Sequence, residues 1–339
     1  MGTNVCICLP IVLKSFSSTK SSGVDLPRPA RYYSGLVATV RELVGKFKFD
    51  GISLAAEPMD RHTSFRIGGP ADLYVAPRTV ADVAEITATC AREGLPFFLL
   101  GGGTNILVSD KGIRGVVIDL SGLAGCEVEG NLVAARCGTP ISDVAEAAGK
   151  RGLSGLEFAY SLPGSLGGAV WMNARCYDRE MADVLEYVEH MDAGGTISRE
   201  KMQPAQWAYK VSPFQTNGRV ILAAGMRLSP GDSAAITAAM EEHRADRVEK
   251  GHFLHPCAGS VFKNNRAFGS PTGKIIDSLG MKGKRVGGAQ IAPFHGNIII
   301  NVDKATASDI LSLILMMEEE VERKLGYRLE REVLLVGEW

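Results

Sequence analysis

Residues 71–105 read ADLYVAPRTVADVAEITATCAREGLPFFLLGGGTN. The segment 71–76 has the apolar, strand-prone composition of a short β-strand, and Pro77 ends it. Thr79 supplies a side-chain oxygen to cap a helix start, and Val80, Val83, Ile86 and Ala91 recur at helical spacing as far as Arg92. Gly94 and Pro96 stop that helix, and 97–101 is a short buried strand. The outcome is a β-α-β unit whose second strand runs straight into Gly101, Gly102 and Gly103. Three consecutive glycines remove side chains from a turn, so successive amide N–H groups can face one anion, as a pyrophosphate requires. Taken alone, the loop fits a plain hairpin turn as well.

Outward from this unit, strands are expected at 113–118, 131–136, 185–192 and 219–228, with a helix over 141–151. Strands and helices therefore alternate across 66–230, which reads as one α+β domain. A charged helix over 234–251 separates it from the last third. That third carries a loop at 255–265, a helix near 273–279, a strand at 297–302, an amphipathic helix at 305–325 and a closing strand at 329–336. So different a pattern predicts a separate domain over 231–339. Upstream, 36–48 has helical spacing through Leu36, Val40, Leu43 and Phe47, with 36–65 leading into the domain. Residues 1–35 read as a disordered extension.

The chain has 339 residues, too many for one core to be the first expectation. With 45% hydrophobic and 22% charged residues and a net charge of −1, it has neither a disordered composition nor the basic excess of a nucleic-acid binder. Seven scattered cysteines, without a C-x-x-C pair or a zinc pattern, point to reduced thiols in the cytoplasm and no metal. His252 and His255 read as a loop feature. No stretch is apolar for long enough to span a membrane, and the apolar residues 4–13 precede positive charge where a secretory signal would follow it. The expected state is a monomer.

Rival phosphate motifs fail on spacing. In a G-x-G-x-x-G reading Ile106 stands at the third glycine, and the nearest Walker-like stretch, Gly269 to Ile275, is one residue short and ends in Ile275. No G-x-S-x-G elbow surrounds Ser165 or Ser260. A second glycine-rich run, LPGSLGGAVWMNA (162–174), places Gly164, Gly167 and Gly168 around Ser165, with Asn173 near its end. Such a run can lie against a planar ring or start a tightly packed helix. Two glycine surfaces in one domain, with no evident catalytic acid in either, suit a cofactor cradle.

Seven stretches occur in a family's order: HTSFRIGGPADLYVAP (62–77), LGGGTNILVSD (100–110), GLEFAYSLPGSLGGAVWMNA (155–174), AYKVSPFQ (208–215), CAGSVFKNN (257–265), GKIIDSLGMKGKRVGGAQI (273–291) and REVLLVGEW (331–339). In these the chain resembles the UDP-N-acetylenolpyruvoylglucosamine reductases. The resemblance implies a two-part FAD-binding domain of the vanillyl-alcohol-oxidase type over 66–230 and a C-terminal substrate domain. The short spacing from Phe214 to Ser260 resembles the compact form that lacks an extra substrate-covering loop. It further implies non-covalent FAD, NADPH as reductant, and UDP-N-acetylglucosamine enolpyruvate as the substrate, reduced during peptidoglycan precursor synthesis.

By the same likeness Gly101, Gly102, Gly103, Thr104 and Asn105 would hold the FAD pyrophosphate, and Ser165, Gly167, Gly168 and Asn173 would line the flavin. Ser260 matches the family's proton donor, although a lone serine is more often a turn residue. Glu332 matches its catalytic glutamate; on a strand it shares a face with Leu334 and Val336, while Arg331 points away. Lys210 stands where the family has arginine, so one compact charge replaces a bidentate fork, and Arg175 is a candidate to compensate. Tyr209, Lys263 and Asn264 would contact the substrate. Arg175 and Asp178 replace usual glycines, and Phe294 before His295 is a milder departure.

Overall fold

The computed structural model describes Phe47 and residues 49–339, so the expected extension over 1–35 and nearly all of the expected helix over 36–48 lie outside the described residues. Strands β1 (Gly51–Pro58), β2 (Pro70–Pro77), β3 (Phe97–Leu100) and β5 (Ile113–Asp119) make one sheet in the order β1-β2-β5-β3. β1 runs antiparallel to β2, whereas β2 and β3 both run parallel to β5, which lies between them. Parallel neighbours need a crossover, and helix α1 (Val80–Glu93) provides it. Thr79 caps α1 by accepting from the Asp82 amide at 3.1 Å, and Gly94, at φ 65°, closes it in the left-handed region. Its buried face is Val83, Ile86 and Cys90, not the face ending at Ala91, which is exposed.

The second sheet is antiparallel, in the order Ile197–Lys201, Leu185–Met191, Val220–Arg227, β7 (Leu132–Arg136), β6 (Cys126–Glu129). Helices α2 (Ile141–Gly149) and α3 (Leu166–Met172) pack against it through Ile141, Val144, Leu166 and Val170. Helix α4 (Ser233–Glu249) buries Ile236 and Met240 in that same cluster, so this largely polar helix is tied to the preceding segment. The Met240 Cε would lie 2.9 Å from a Cβ on Gly149, so the glycine lets the methionine tip sit directly against helix α2.

The last third packs helix α5 (Thr272–Ser278), strands Ala289–Ile291 and Ile299–Asn301, and helix α6 (Ala307–Leu325) into one apolar cluster that also takes in Phe65, Ile67 and Leu107. Its closing segment departs from expectation. Only Leu334–Val336 is a strand, parallel to β4 (Ile106–Val108) just after the glycine loop. Residues 330–332 pair instead with 261–263: the Lys263 amide donates to Glu330 O and the Glu332 amide to Val261 O, each at 2.8 Å. Glu332 thus sits where the chain changes partners and not within a strand shared with Leu334. Among the described residues no helix is long and apolar enough to cross a membrane.

A hairpin absent from the sequence reading connects Arg175–Cys176 to Arg179–Glu180. Its two turn residues, Tyr177 at φ 50° and Asp178 at φ 57°, both occupy the left-handed region, the geometry of a type I′ turn that glycine suits. Tyr177 is held there by stacking on His243 at 3.8 Å and by donating to Asp246 at 2.7 Å. Asp178 has no such anchor, and its contact with Arg175 is made by a side chain 96% exposed, worth little. Asp178→Gly is therefore expected to raise stability by ~0.5–1 kcal/mol, read as a thermal midpoint about 2 °C higher.

Candidate active site

One cavity of about 1760 Å³ runs between the two sheets and the C-terminal segment. Ordinary small-molecule pockets span ~300–1,000 Å³, so this one has room for two ligands side by side. One wall is Gly101 to Asn105, which faces the second glycine run across a backbone-to-backbone contact. A Cβ on Gly102 would lie 2.6 Å from Gly164 Cα, and one on Gly103, at φ 62°, 2.0 Å from His62 O. Among the described residues, none accepts a hydrogen bond from the Gly102, Gly103 or Thr104 amide. Three consecutive unpaired N–H groups on a cavity wall fit the pyrophosphate of a dinucleotide such as FAD. Asn105 faces the other way in function: its Nδ2 donates to Glu332 O at 3.1 Å and its carbonyl accepts from Leu334 N at 3.0 Å, fixing the loop to the C-terminus.

The second run is the tightly packed helix start that its sequence allowed, and part of it also faces the cavity. It starts helix α3, with Ser165 capping by accepting from the Gly168 amide at 3.3 Å, and Ser165, Gly167 and Gly168 line the cavity. Gly167 is required by packing, since a Cβ there would lie 2.9 Å from Cys137 Cβ, whereas Gly168 leaves open space toward the cavity. Asn173 does not line it. Fully buried at φ 44°, it donates to Glu180 at 3.0 Å and to Ala208 O at 2.8 Å, and accepts from the Ala182 amide at 3.0 Å. Its amide group is fully engaged within the protein, so its place is behind the cradle.

Tyr209 and Lys210, which also line the cavity, are the two tip residues of a turn whose ends, Ala208 and Val211, exchange both backbone hydrogen bonds. Lys210 has φ 58°, and its Nζ lies 2.6 Å from Glu332 Oε1, with both side chains nearly nine-tenths buried. Gln215 holds the turn by donating to Lys210 O at 3.1 Å. Ser260, on the segment paired with 330–332, lines the cavity, and among the described residues its hydroxyl has no hydrogen-bond partner. Lys263 binds Glu330 at 2.6 Å, and the Asn264 amide donates to the Tyr209 hydroxyl at 3.3 Å.

Residues 71–200 match the profile of a FAD binding domain, and residues 250–336 match that of the C-terminal domain of UDP-N-acetylenolpyruvoylglucosamine reductase. The reductase of that name from Treponema denticola is 43% identical over 300 residues, covering 84% of this chain and 93% of the relative. That from Caldanaerobacter subterraneus is 43% identical over 282 residues, covering 83% and 93%. The crystal structure of the Thermus caldophilus reductase (MurB) superposes with a TM-score of 0.72 at 30% identity, covering 85% of this chain and all of that one. The chain belongs to the UDP-N-acetylenolpyruvoylglucosamine reductase family. It is an FAD-dependent oxidoreductase with an α+β fold built on that FAD-binding domain.

Within this reductase framework the structure brings Lys210, Glu332, Ser260, Tyr209, Lys263, Asn264 and the glycine loop to one cavity. Arg175 also lines the cavity, its guanidinium 5.8 Å from the Tyr209 ring centroid, but it is engaged by Glu180 at 3.2 Å and Asp178 at 3.1 Å. Sequence reasoning missed the basic rim at the end of α4. Arg247, Lys250 and His252 line the cavity with Phe294 and His295, while His255 is exposed. Burial, then the charge of Arg247, push His252 down to about 4, so it is neutral at physiological pH. Arg247 has a buried, unpartnered Nε and, among the described residues, no carboxylate partner. The spacing of Arg247 and Lys250, three apart at a helix end, was the available signal.

Proposed function

We propose that this chain reduces UDP-N-acetylglucosamine enolpyruvate to UDP-N-acetylmuramate in cytoplasmic peptidoglycan precursor synthesis, with NADPH as electron source and Ser260 as proton donor. The observation that carries this reading is that one cavity holds both the unpaired amides of Gly102 to Thr104 and the Ser260, Lys210 and Glu332 side chains. In this reading 66–230 supplies the cofactor loops and Lys210, and 231–339 supplies Ser260, Lys263, Asn264 and Glu332. FAD, when bound, supplies the hydride that adds to the substrate's methylene carbon.

The neighbouring carbon then needs a proton, and the charge building toward its carboxylate needs a cation. Ser260 can offer its proton because no protein group competes for the hydroxyl among the described residues. Lys210 sits on a turn fixed by Gln215, so its charge is presented from a set backbone while Nζ can divide itself between Glu332 and an arriving carboxylate. Glu332 holds that ammonium in place and balances it when no substrate is there. Ser260 and Asn264 also border a side cavity of about 270 Å³ lined by Lys274 and by the Lys282–Asp277 pair, whose partners lie 2.9 Å apart, so Lys274 is the cation there that suits the anionic remainder of a sugar nucleotide.

Holoprotein in oxygen-free buffer is expected to lose its oxidised-flavin absorbance on adding NADPH and regain it on adding the enolpyruvyl sugar nucleotide. Glu332→Gln should slow the regain by ~10²-fold and leave the loss within a factor of two. Absorbance that never returns in the unmodified protein would sink the substrate assignment.

A further inference from the structure

The segment ahead of Glu332 has alternating directions. Glu330 and Glu332 both line the cavity, where each is bound by a lysine, Lys263 and Lys210, at 2.6 Å. Arg331 points the opposite way, toward helix α6, where its Nη2 donates to Glu318 Oε2 at 2.6 Å and its Nε donates to Glu318 Oε1. Both side chains are three-quarters buried, and both guanidinium donors meet both carboxylate oxygens, an arrangement that fixes orientation as well as distance. The backbone around them is weakly held. Residues 330–332 pair with 261–263 through an isolated bridge, outside any sheet, before the chain moves to β4.

A two-bond ladder of this kind can roll about its own axis, and a roll would swing Glu332 away from Lys210. The roll is opposed by Asn105 Nδ2, which donates to Glu332 O at 3.1 Å, and on the side of helix α6 by the bidentate pair, which is only as firm as the helix carrying it. Helix α6 is firm. Its N-terminus is capped by Thr306 and Asp309 within the helix, and by Asp110 accepting from the Ala307 amide at 2.7 Å and the Ser308 hydroxyl at 2.6 Å. Ile310, Leu313, Ile314, Met317 and Val321 are buried along it.

We propose that the Glu318–Arg331 pair is a positioning device that sets Glu332 against Lys210 during substrate reduction, with neither residue touching the substrate. This inference rests on the role given above to Glu332. Glu318→Gln keeps the shape and loses the charge that holds the fork. It is expected to slow flavin reoxidation by the enolpyruvyl sugar nucleotide about tenfold. Bleaching by NADPH, FAD content and substrate affinity by calorimetry should all stay within a factor of two. Arg331→Lys, one point charge in place of a fork, should fall between the two.

The deciding measurement is a cycle with Glu332→Gln. A pair that acts through Glu332 adds no further loss once that carboxylate is gone, so the double variant should reoxidise at the rate of Glu332→Gln alone. Additive losses, or equal slowing of both half-reactions, would overturn the inference in favour of general destabilisation, as would unchanged reoxidation in Glu318→Gln. An inert Glu332→Gln would instead remove the role of Glu332 itself. Should Glu318→Gln fold poorly, Glu318→Asp, shorter by one methylene, gives the same comparison.

Discussion

Ser260→Ala is expected to leave NADPH bleaching of the flavin intact while slowing its reoxidation by the enolpyruvyl sugar nucleotide ~10²–10⁴-fold, the usual range for a lost general acid. The structure makes this a clean substitution. Ser260 bridges Ile298 through its backbone, and the adjacent Val261 donates to Asn297 O at 2.9 Å and accepts from the Glu332 amide. None of these bonds uses the hydroxyl, and the preceding Gly259, at φ 70°, sets the turn whatever residue follows. Stability should therefore change by no more than about 0.5 kcal/mol. Any slowing then belongs to the chemistry. Equal slowing of both half-reactions would show that the substitution had disturbed the cavity, and unchanged reoxidation would mean that the proton comes from elsewhere.

How much of this site was legible in the sequence depends on whether a feature is local. The capping oxygen of Thr79, the stop at Gly94 and the glycine loop are properties of a few consecutive residues, and they stand where local chemistry puts them. The face of α1 shifted by one residue because tertiary packing chose Cys90 over Ala91. Asn173 was misjudged for a related reason. Its residue type fits a cofactor contact, but only the fold shows that Glu180, Ala208 and Ala182 already occupy its amide. The closing segment could not be divided from sequence at all. An apolar alternation over 329–336 looks like one strand, and nothing within it announces that 330–332 belong to 261–263 and 334–336 to 106–108. The type I′ hairpin at 177–178 was hidden because Tyr and Asp are not its usual residues. Its anchor, Tyr177 on Asp246, joins residues far apart in the chain.

Gly102→Ala is expected to yield folded protein nearly free of flavin, with FAD affinity about a hundredfold weaker. Gly102 is not in the left-handed region, so alanine meets no conformational penalty there. The obstacle is space. Its Cβ would lie 2.6 Å from Gly164 Cα and 3.2 Å from Gly164 C, backbone atoms that cannot rotate aside, so the two glycine runs must separate. Overpacking of this kind costs ~1–3 kcal/mol, and the strain is relieved most easily by spreading the cradle that should grip the cofactor. At about 1.4 kcal/mol per tenfold, the upper part of that range is the predicted hundredfold. Gly168→Ala separates this from direct contact. Its Cβ would meet only Ser165 Oγ, at 3.5 Å, so the protein alone has no reason to object. A protein that folds with unchanged stability but loses flavin in Gly168→Ala would mean the cofactor lies against that backbone. If Gly102→Ala instead purified with one FAD per chain, the contact between the glycine runs would not be what shapes the cofactor site. The unpaired amides of Gly102 to Thr104 would then need another ligand.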